Sequence, residues 1–270
     1  MKASLKLTPR ELKQGKLSNL TATKAATLFR LYGTLLIQNL FPKELIRQLN
    51  REFMEDVDRL GEAGLEEKYL KVGDKRYMTT VEIRGSFNDP RVYANPLFLE
   101  LLKELLGKSC IINGFGGVIA FPGSQNQHLH LDHPRLFAVE EINAALPPYA
   151  ITVMIPLVAL NETTGTTRVW EGSHTAHDDT GMLLGSSLVE CEEGACFLMD
   201  YRLWHGGTAN VGTVPRPLLY SLYSRPWFKD SANYYKQDRL VVPKKEFEKI
   251  PEEHRGLFKF ARIIPAASPE

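Results

Sequence analysis

Apolar and polar residues alternate along this chain in two textures that change near residue 108. In the first part the period is helical. Residues Thr21 to Tyr32 read as a short helix that stops at Gly33, and Thr34-Leu-Leu-Ile-Gln-Asn39 follows as a buried strand. Pro42 suits a first helical position. Beyond it Leu45, Ile46, Leu49, Phe53, Val57 and Leu60 recur at helical spacing, and Gly61 and Gly64 close that helix. Residues 65–95 are mixed, with local basic character from Lys71, Lys75, Arg76 and Arg84. Asn95-Pro96 then opens a helix that ends at Gly107, with Leu97, Leu101, Leu102, Leu105 and Leu106 on its apolar side.

From Ser109 onward short apolar runs alternate with turn residues at close spacing: Cys110–Phe121, His128–Asp132, Ile151–Leu160, Thr167–Trp170, Ala195–Met199 and Leu218–Trp227. That spacing predicts a β-sandwich or barrel. The chain is therefore expected to be mainly β with flanking helices, one domain with a helical N-terminal layer over about 1–107, a β core over about 108–228 and a C-terminal extension over 229–270. Gly114-Phe-Gly-Gly117 has no following Lys-Ser/Thr and sits inside an apolar strand, so it reads as glycine for close packing rather than a phosphate loop.

Composition narrows the function classes. An apolar fraction of 43% in 270 residues supplies a substantial core. A net charge of +1 provides no global field toward nucleic acid or a membrane surface. The three cysteines, Cys110, Cys191 and Cys196, have neither disulfide nor zinc-ribbon spacing and read as free thiols. No apolar run follows Met1-Lys2-Ala3-Ser4, and Ile151–Leu160 is too short to span a bilayer, so a soluble cytoplasmic protein is expected.

The chemistry-bearing residues form one set. His130 and Asp132 are two apart on an expected strand and project from the same face, so an imidazole and a carboxylate can point at one metal. His205 of Trp204-His205-Gly206-Gly207 follows another expected strand, Ala195-Cys-Phe-Leu-Met-Asp200. Two histidines and one carboxylate make a facial triad of the kind that holds non-haem Fe(II) and leaves three positions open. Arg216 lies eleven residues beyond His205 (216 − 205), across a turn-rich segment, where its guanidinium can clamp a carboxylate. His128 is expected to hydrogen-bond near the site and His174 to satisfy backbone at its turn. His177 and His254 read as exposed, and Trp204 and Trp227 as core aromatics.

Gln127-His-Leu-His130-Leu-Asp132, Gly172-Ser173-His174, His205-Gly206-Gly207 and Arg216, together with Leu-Leu-Gly at 105–107, Pro-Gly-Ser at 122–124 and the closing Tyr223-Ser-Arg-Pro-Trp227, resemble the phytanoyl-CoA dioxygenase family over roughly residues 30–228. The resemblance implies a double-stranded β-helix, or jelly roll, with a cupin-like core. It maps His130, Asp132 and His205 onto the metal ligands and Arg216 onto the co-substrate arginine, with Gln127 and Thr167 as further 2-oxoglutarate contacts. Fe(II), 2-oxoglutarate and O₂ are the implied cofactor and co-substrates. The implied reaction is oxidation of an unactivated C–H bond of a small metabolite with release of succinate and CO₂, most simply hydroxylation. Desaturation, ring closure and dealkylation share its first step, and acyl-CoA hydroxylation is the family namesake's activity. Retention of Asp132 argues against halogenation. His133, Arg135, Arg84 and Arg76 are the candidate substrate contacts. A cupin-like metal protein of another chemistry and a non-catalytic scaffold are the rival classes.

Overall fold

The chain begins with β1 (Ser4–Leu5), α1 (Pro9–Gln14), α2 (Asn19–Tyr32), β2 (Thr34–Ile37) and α3 (Lys43–Lys68). A hairpin of β3 (Leu70–Gly73) and β4 (Arg76–Thr80) follows, then α4 (Pro90–Tyr93) and α5 (Pro96–Leu106). The β core contains β5 (Ile111–Ala120), α6 (Glu140–Ala145), β6 (Ala150–Pro156), β7 (Thr167–Trp170), β8 (Ser186–Leu188), β9 (Cys196–Asp200), β10 (His205–Gly207) and β11 (Arg216–Ser224). This is a computed structural model, and it describes residues 1–177, 181, 183–234 and 237–265.

Two sheets form the core. The larger has strand order β1-β2-β9-β6-β11-β5-β4-β3, and the smaller has β10-β7-β8. Apart from β1 with β2, their pairings are antiparallel. This is the jelly-roll core expected from the sequence.

Both faces of the larger sheet are covered, which explains the unbroken apolar runs. β6 and β11 are buried at every position. On one face Ile151, Val153, Ile155, Leu219 and Tyr223 pack with Leu97, Leu101, Leu105 and Phe53 of the helices. On the other, Met154, Met199, Leu218 and Tyr220 pack inside the jelly roll. Because strand side chains alternate between faces, one run of sequence builds both layers. β5 carries the glycines that let the layers close. A β-carbon at Gly117 would overlap the Phe53 ring, and one at Gly116 would overlap the Thr79 carbonyl and the Tyr220 hydroxyl.

Several sequence expectations are revised. α3 continues to Lys68 beyond the break predicted at Gly61, which takes φ 62 and kinks the helix. Buried Leu65 keeps the second segment on the core. Pro42 precedes α3 as its cap residue and is not its first helical residue. His128–Asp132 is not a regular strand; a single antiparallel bridge joins His130 to His205. Trp227 is 63% exposed and is not a core residue. Among the described residues no helix is long and apolar enough to cross a membrane.

The chain beyond β11 returns to the larger sheet. A helical turn, Ser231–Tyr234, leads to a segment in which the Arg239 carbonyl accepts from Phe115 N at 2.7 Å. Then β12 (Val241–Pro243) pairs in parallel with β13 (Arg262–Ile264).

At the N-terminus Glu11 closes a capping box with Thr8 and also accepts the Ser18 amide at 2.9 Å, tying α1 to the start of α2. Hydrogen bonds from the Thr21 hydroxyl and the Ser18 and Thr8 amides hold its carboxyl down at about 2, against 4.5 ordinarily. A depressed carboxyl contributes stability that is present above its unfolded value and lost as pH falls through the folded one. Glu11→Ala is expected to lower unfolding stability by about 2 kcal/mol at neutral pH. Urea titrations should show the gap to wild type shrinking as pH falls below about 4.5 toward 2; a gap that does not change with pH would remove the ionised cap as its cause.

Candidate metal centre

His205 opens β10, and His130 lies on the irregular segment that runs beside it. Two reciprocal backbone hydrogen bonds join them, His130 N to His205 O at 3.0 Å and His205 N to His130 O at 3.1 Å. Gln127 N donates to Gly207 O at 2.8 Å and continues the pairing. With the two backbones in register, the imidazole centroids lie 4.5 Å apart. Asp132 follows the bridge by two residues, and its Oδ1 is 3.5 Å from His205 Nε2. One donor atom from each of His130, Asp132 and His205 falls within 4.8 Å of the others. They are the group with metal-ligand geometry among the described residues.

The ring orientations are set by the backbone. Nδ1 of His130 is 2.9 Å from the His128 carbonyl, and Nδ1 of His205 is 2.9 Å from the Leu203 carbonyl. A carbonyl only accepts, so each Nδ1 carries hydrogen and each Nε2 is free to act as a ligand. Burial, and next the His205 charge, push His130 below its ordinary value. Burial pushes His205 down too, but Asp132 outweighs it and the net direction is upward. Asp132 is lowered despite its burial, first by the His205 charge. The two histidines and the carboxylate therefore favour a cation among them. With two nitrogens, one oxygen and no fourth ligand among the described residues, the set suits a metal with open positions better than a closed structural zinc site.

The three ligands open on a cavity of about 520 Å³, within the range of small-molecule sites. Arg216, Gln127, Thr167 and Arg76 also line it. Arg216 and Arg76 both stand opposite Ala120, on either side of β5, with backbones about 10 Å apart. Their guanidiniums are nearly inaccessible, Arg76 at 1% and Arg216 at 3% exposure. Neither meets a carboxylate among the described residues. Arg216 Nη1 donates to Thr166 O at 2.8 Å, and Arg76 Nη2 donates to the carbonyls of Thr208 at 2.9 Å and Gln125 at 3.1 Å. Nε of each has no partner among the described residues. Burial, and then the neighbouring Arg76, bring Arg216 down to about 9, while burial brings Arg76 to about 10. Two adjacent buried cations with unfilled donors are a receptor for an anion.

The remaining sequence candidates divide. The Gln127 amide is committed at both ends, with Nε2 donating to Val72 O at 2.8 Å and Oε1 accepting from Gly207 N at 2.9 Å. It staples β3 to β10. Arg84 is 41% exposed and paired with Asp56 at 2.6 Å. The His133 ring packs near Tyr201 and Phe228. Arg84, His133 and Arg135 do not line the cavity. Sequence reasoning missed Tyr220, Tyr201, Asn233 and Arg239, which do. Tyr220 shares the strand parity of Arg216 and was findable on that ground. Asn233 and Arg239 lie beyond the last core strand, where nothing in the sequence signals a return to the cavity.

The family model for phytanoyl-CoA dioxygenase (PhyH) matches residues 29–218. A protein of Aspergillus fumigatus named dioxygenase af480 is 27% identical over 174 residues, covering 63% of this chain. The match spans only 54% of the length of that relative. Among solved structures, the epimerase SnoN in complex with Fe³⁺, alpha-ketoglutarate and a nogalamycin compound superposes with a TM-score of 0.61 at 16% identity, covering 77% of this chain and 85% of that one. HygX of Streptomyces hygroscopicus, with nickel and 2-oxoglutarate bound, gives 0.58 at 14% identity, covering 83% and 89%. At these identities the likeness establishes the fold.

The glycine at 207 is dictated by the cavity wall. A β-carbon there would overlap the Arg76 guanidinium and come to 2.7 Å from Gln127 Oε1, and hydrogen bonds hold both side chains in place. Gly207→Ala is expected to cost about 1–3 kcal/mol in urea unfolding, the magnitude of overpacking. A variant as stable as the parent would show that the guanidinium moves aside freely.

Proposed function

The chain belongs to the phytanoyl-CoA dioxygenase family, and from that premise we propose that it is an iron(II)- and 2-oxoglutarate-dependent dioxygenase that hydroxylates an unactivated C–H bond of a small metabolite. The observation that carries the reading is the pairing, in one cavity, of a two-histidine, one-carboxylate set with two buried guanidiniums that lack a counter-ion. A cupin-like metal protein of another chemistry has no need for the second feature.

His130 Nε2, Asp132 and His205 Nε2 would hold the metal, a ligand set that leaves positions for small molecules. Iron(II) with bound 2-oxoglutarate and O₂ supplies the oxidising power for C–H cleavage, with succinate and CO₂ as co-products. Arg216, backed by Arg76, takes the distal carboxylate of 2-oxoglutarate; Arg76 thus belongs to the co-substrate and not to the substrate. Thr167, on β7, lines the same cavity. Gln127 positions the wall without donating to a ligand. Met78, Val118, Met154, Met199, Leu218 and Leu222 give the cavity an apolar lining, which limits water around the reacting atoms. Asp132 fills the position that a halide would need, so oxygen transfer is favoured over halogenation. The balance is one O₂, one 2-oxoglutarate and one C–H consumed for one C–OH, one succinate and one CO₂.

Anaerobic addition of 2-oxoglutarate to the Fe(II)-loaded protein is expected to produce a weak visible charge-transfer band. His205→Ala should abolish it, and Arg216→Gln should raise the 2-oxoglutarate needed to develop it by about 100-fold, as expected on losing charge-assisted hydrogen bonds. Absence of the band at verified iron occupancy would sink the reading. With a turned-over substrate, ¹⁸O₂ should label one product oxygen; an unlabelled product would replace hydroxylation by a reaction without oxygen transfer.

A further inference from the structure

The cavity holds a second anion receptor that the oxygenase reading does not use. We propose that Arg239 binds a carboxylate of the substrate, so that the substrate is a free organic acid with a largely apolar body.

Arg239 reaches the cavity from the C-terminal segment and is fixed there by its own backbone, whose carbonyl accepts from Phe115 N at 2.7 Å. Its side chain is 5% exposed and lines the cavity. The guanidinium lies 5.3 Å from the centre of the Tyr220 ring, which holds it by cation–π contact. Its five N–H donors are nearly unused. Nε has no partner among the described residues, Nη1 reaches the Met78 sulfur at 4.0 Å, and Nη2 stands 3.9 Å from Asp230 Oδ2, beyond hydrogen-bond reach. Asp230 forms a loose ion pair with it at that distance but accepts its hydrogen bonds from the Tyr201 hydroxyl at 2.7 Å and from Asn233 Nδ2 at 3.0 Å. The other nearby carboxylate, Asp132, belongs to the proposed metal.

This receptor is separate from the co-substrate arginines. Tyr220 lies four residues from Arg216 on the same face of β11 (220 − 216), about 13 Å along the strand. One carboxylate cannot serve both ends. The metal ligands adjoin the Arg239 end, because Asn233 Nδ2 also donates to the Asp132 carbonyl at 3.0 Å. Thr152, Met154, Leu218 and Leu222 line the same cavity, with the Thr152 and Tyr220 hydroxyls lacking partners. A guanidinium fork fits a carboxylate in two parallel bonds. A phosphate dianion would face Asp230 and Asp132, and an acyl thioester would bring no free carboxylate. The inference deepens the oxygenase reading and rests on it for the assignment of Asp132 to the metal.

The test uses protein saturated with Mn(II) and 2-oxoglutarate, so that Arg216 and Arg76 are occupied. Matched pairs are titrated by calorimetry and thermal shift: benzoate and benzamide, 3-phenylpropionate and its amide, octanoate and octanamide. At least one acid should bind about 100-fold more tightly than its amide, the effect of two charge-assisted hydrogen bonds. Arg239→Gln should abolish that preference while the response to 2-oxoglutarate persists, and Arg239→Lys, which keeps the charge, should keep part of it. Arg216→Gln should do the reverse, losing the 2-oxoglutarate response and keeping the preference. If no acid outbinds its amide, or if both Arg239 variants keep the full preference, the proposal is overturned. A wild-type protein that ignores 2-oxoglutarate overturns the oxygenase reading instead, and the same acid-amide comparison in Arg216→Gln then decides Arg239 alone.

Discussion

Two backbone hydrogen bonds between His130 and His205 set the geometry on which the site depends. They place two imidazoles side by side, with ring centroids 4.5 Å apart. The backbone carbonyls of His128 and Leu203 then turn both rings so that Nε2 faces inward. Since the pairing is a single bridge and not a ladder, the chain is free to bend immediately afterwards and bring Asp132 around to the third position. A regular strand over these residues would hold Asp132 in line with His130, about 7 Å further along. The irregularity is therefore part of the ligand geometry. Gln127 protects it by joining β3 to β10 through its amide.

The cavity beyond the triad is cationic by construction. Arg76, Arg216, Arg239 and Lys71 line it, against Asp132 as the single acidic residue of that lining. A buried guanidinium is not unusual in itself. Arg202 shows how this chain satisfies one that has only a structural duty: Nε and Nη2 are paired with Asp200 at 2.8 Å, and Nη1 donates to the carbonyls of Leu146 at 2.7 Å and Asn143 at 3.0 Å. Arg76 and Arg216 are as deeply buried, yet among the described residues they keep Nε without a partner and meet no carboxylate, whereas Arg239, its Nε likewise unpartnered, has Asp230 at 3.9 Å. Burying a charge without its counter-ion costs several kcal/mol. The arrangement makes sense when the counter-ions arrive with the ligands, and the preset donors then favour anions over neutral molecules of the same shape.

Much of this was legible in the sequence because strand parity and short-range pattern are local properties. His130-x-Asp132 and Arg216 could be found by spacing, and a β-sandwich or barrel by the rhythm of apolar runs, with the jelly roll implied by the family resemblance. What failed was non-local. Arg76 read as a substrate contact on local basic character alone, because the carbonyls that hold it, those of Gln125 and Thr208, lie 49 and 132 positions away. Arg84 read as its equal, and Asp56 pairs with it outside the cavity. Trp227 read as core because size and hydrophobicity favour burial, yet it sits on the surface beyond the last core strand. Gln127 read as a co-substrate contact, and its amide is taken up instead by Val72 and Gly207, 55 and 80 positions away.

The division of labour along the chain follows from these contacts. The residues matched by the family model, 29–218, hold the metal triad and both arginines assigned to the co-substrate. Asn233 and Arg239 lie beyond them, on a segment anchored to β5 through the Arg239 carbonyl and to the Asp132 carbonyl through the Asn233 side chain. Arg239 can be exchanged without losing the anchor to β5, because that anchor is its backbone carbonyl, whereas Asn233 holds the Asp132 carbonyl through its side chain. The proposed metal centre constrains the matched region, since small displacements of ligand donors would disrupt it. Substrate choice is freer to reside on the returning segment, where exchanging one guanidinium alters what the cavity accepts and leaves the triad in place. On that argument, relatives with the same triad and a different residue at the position of Arg239 would act on substrates of different charge.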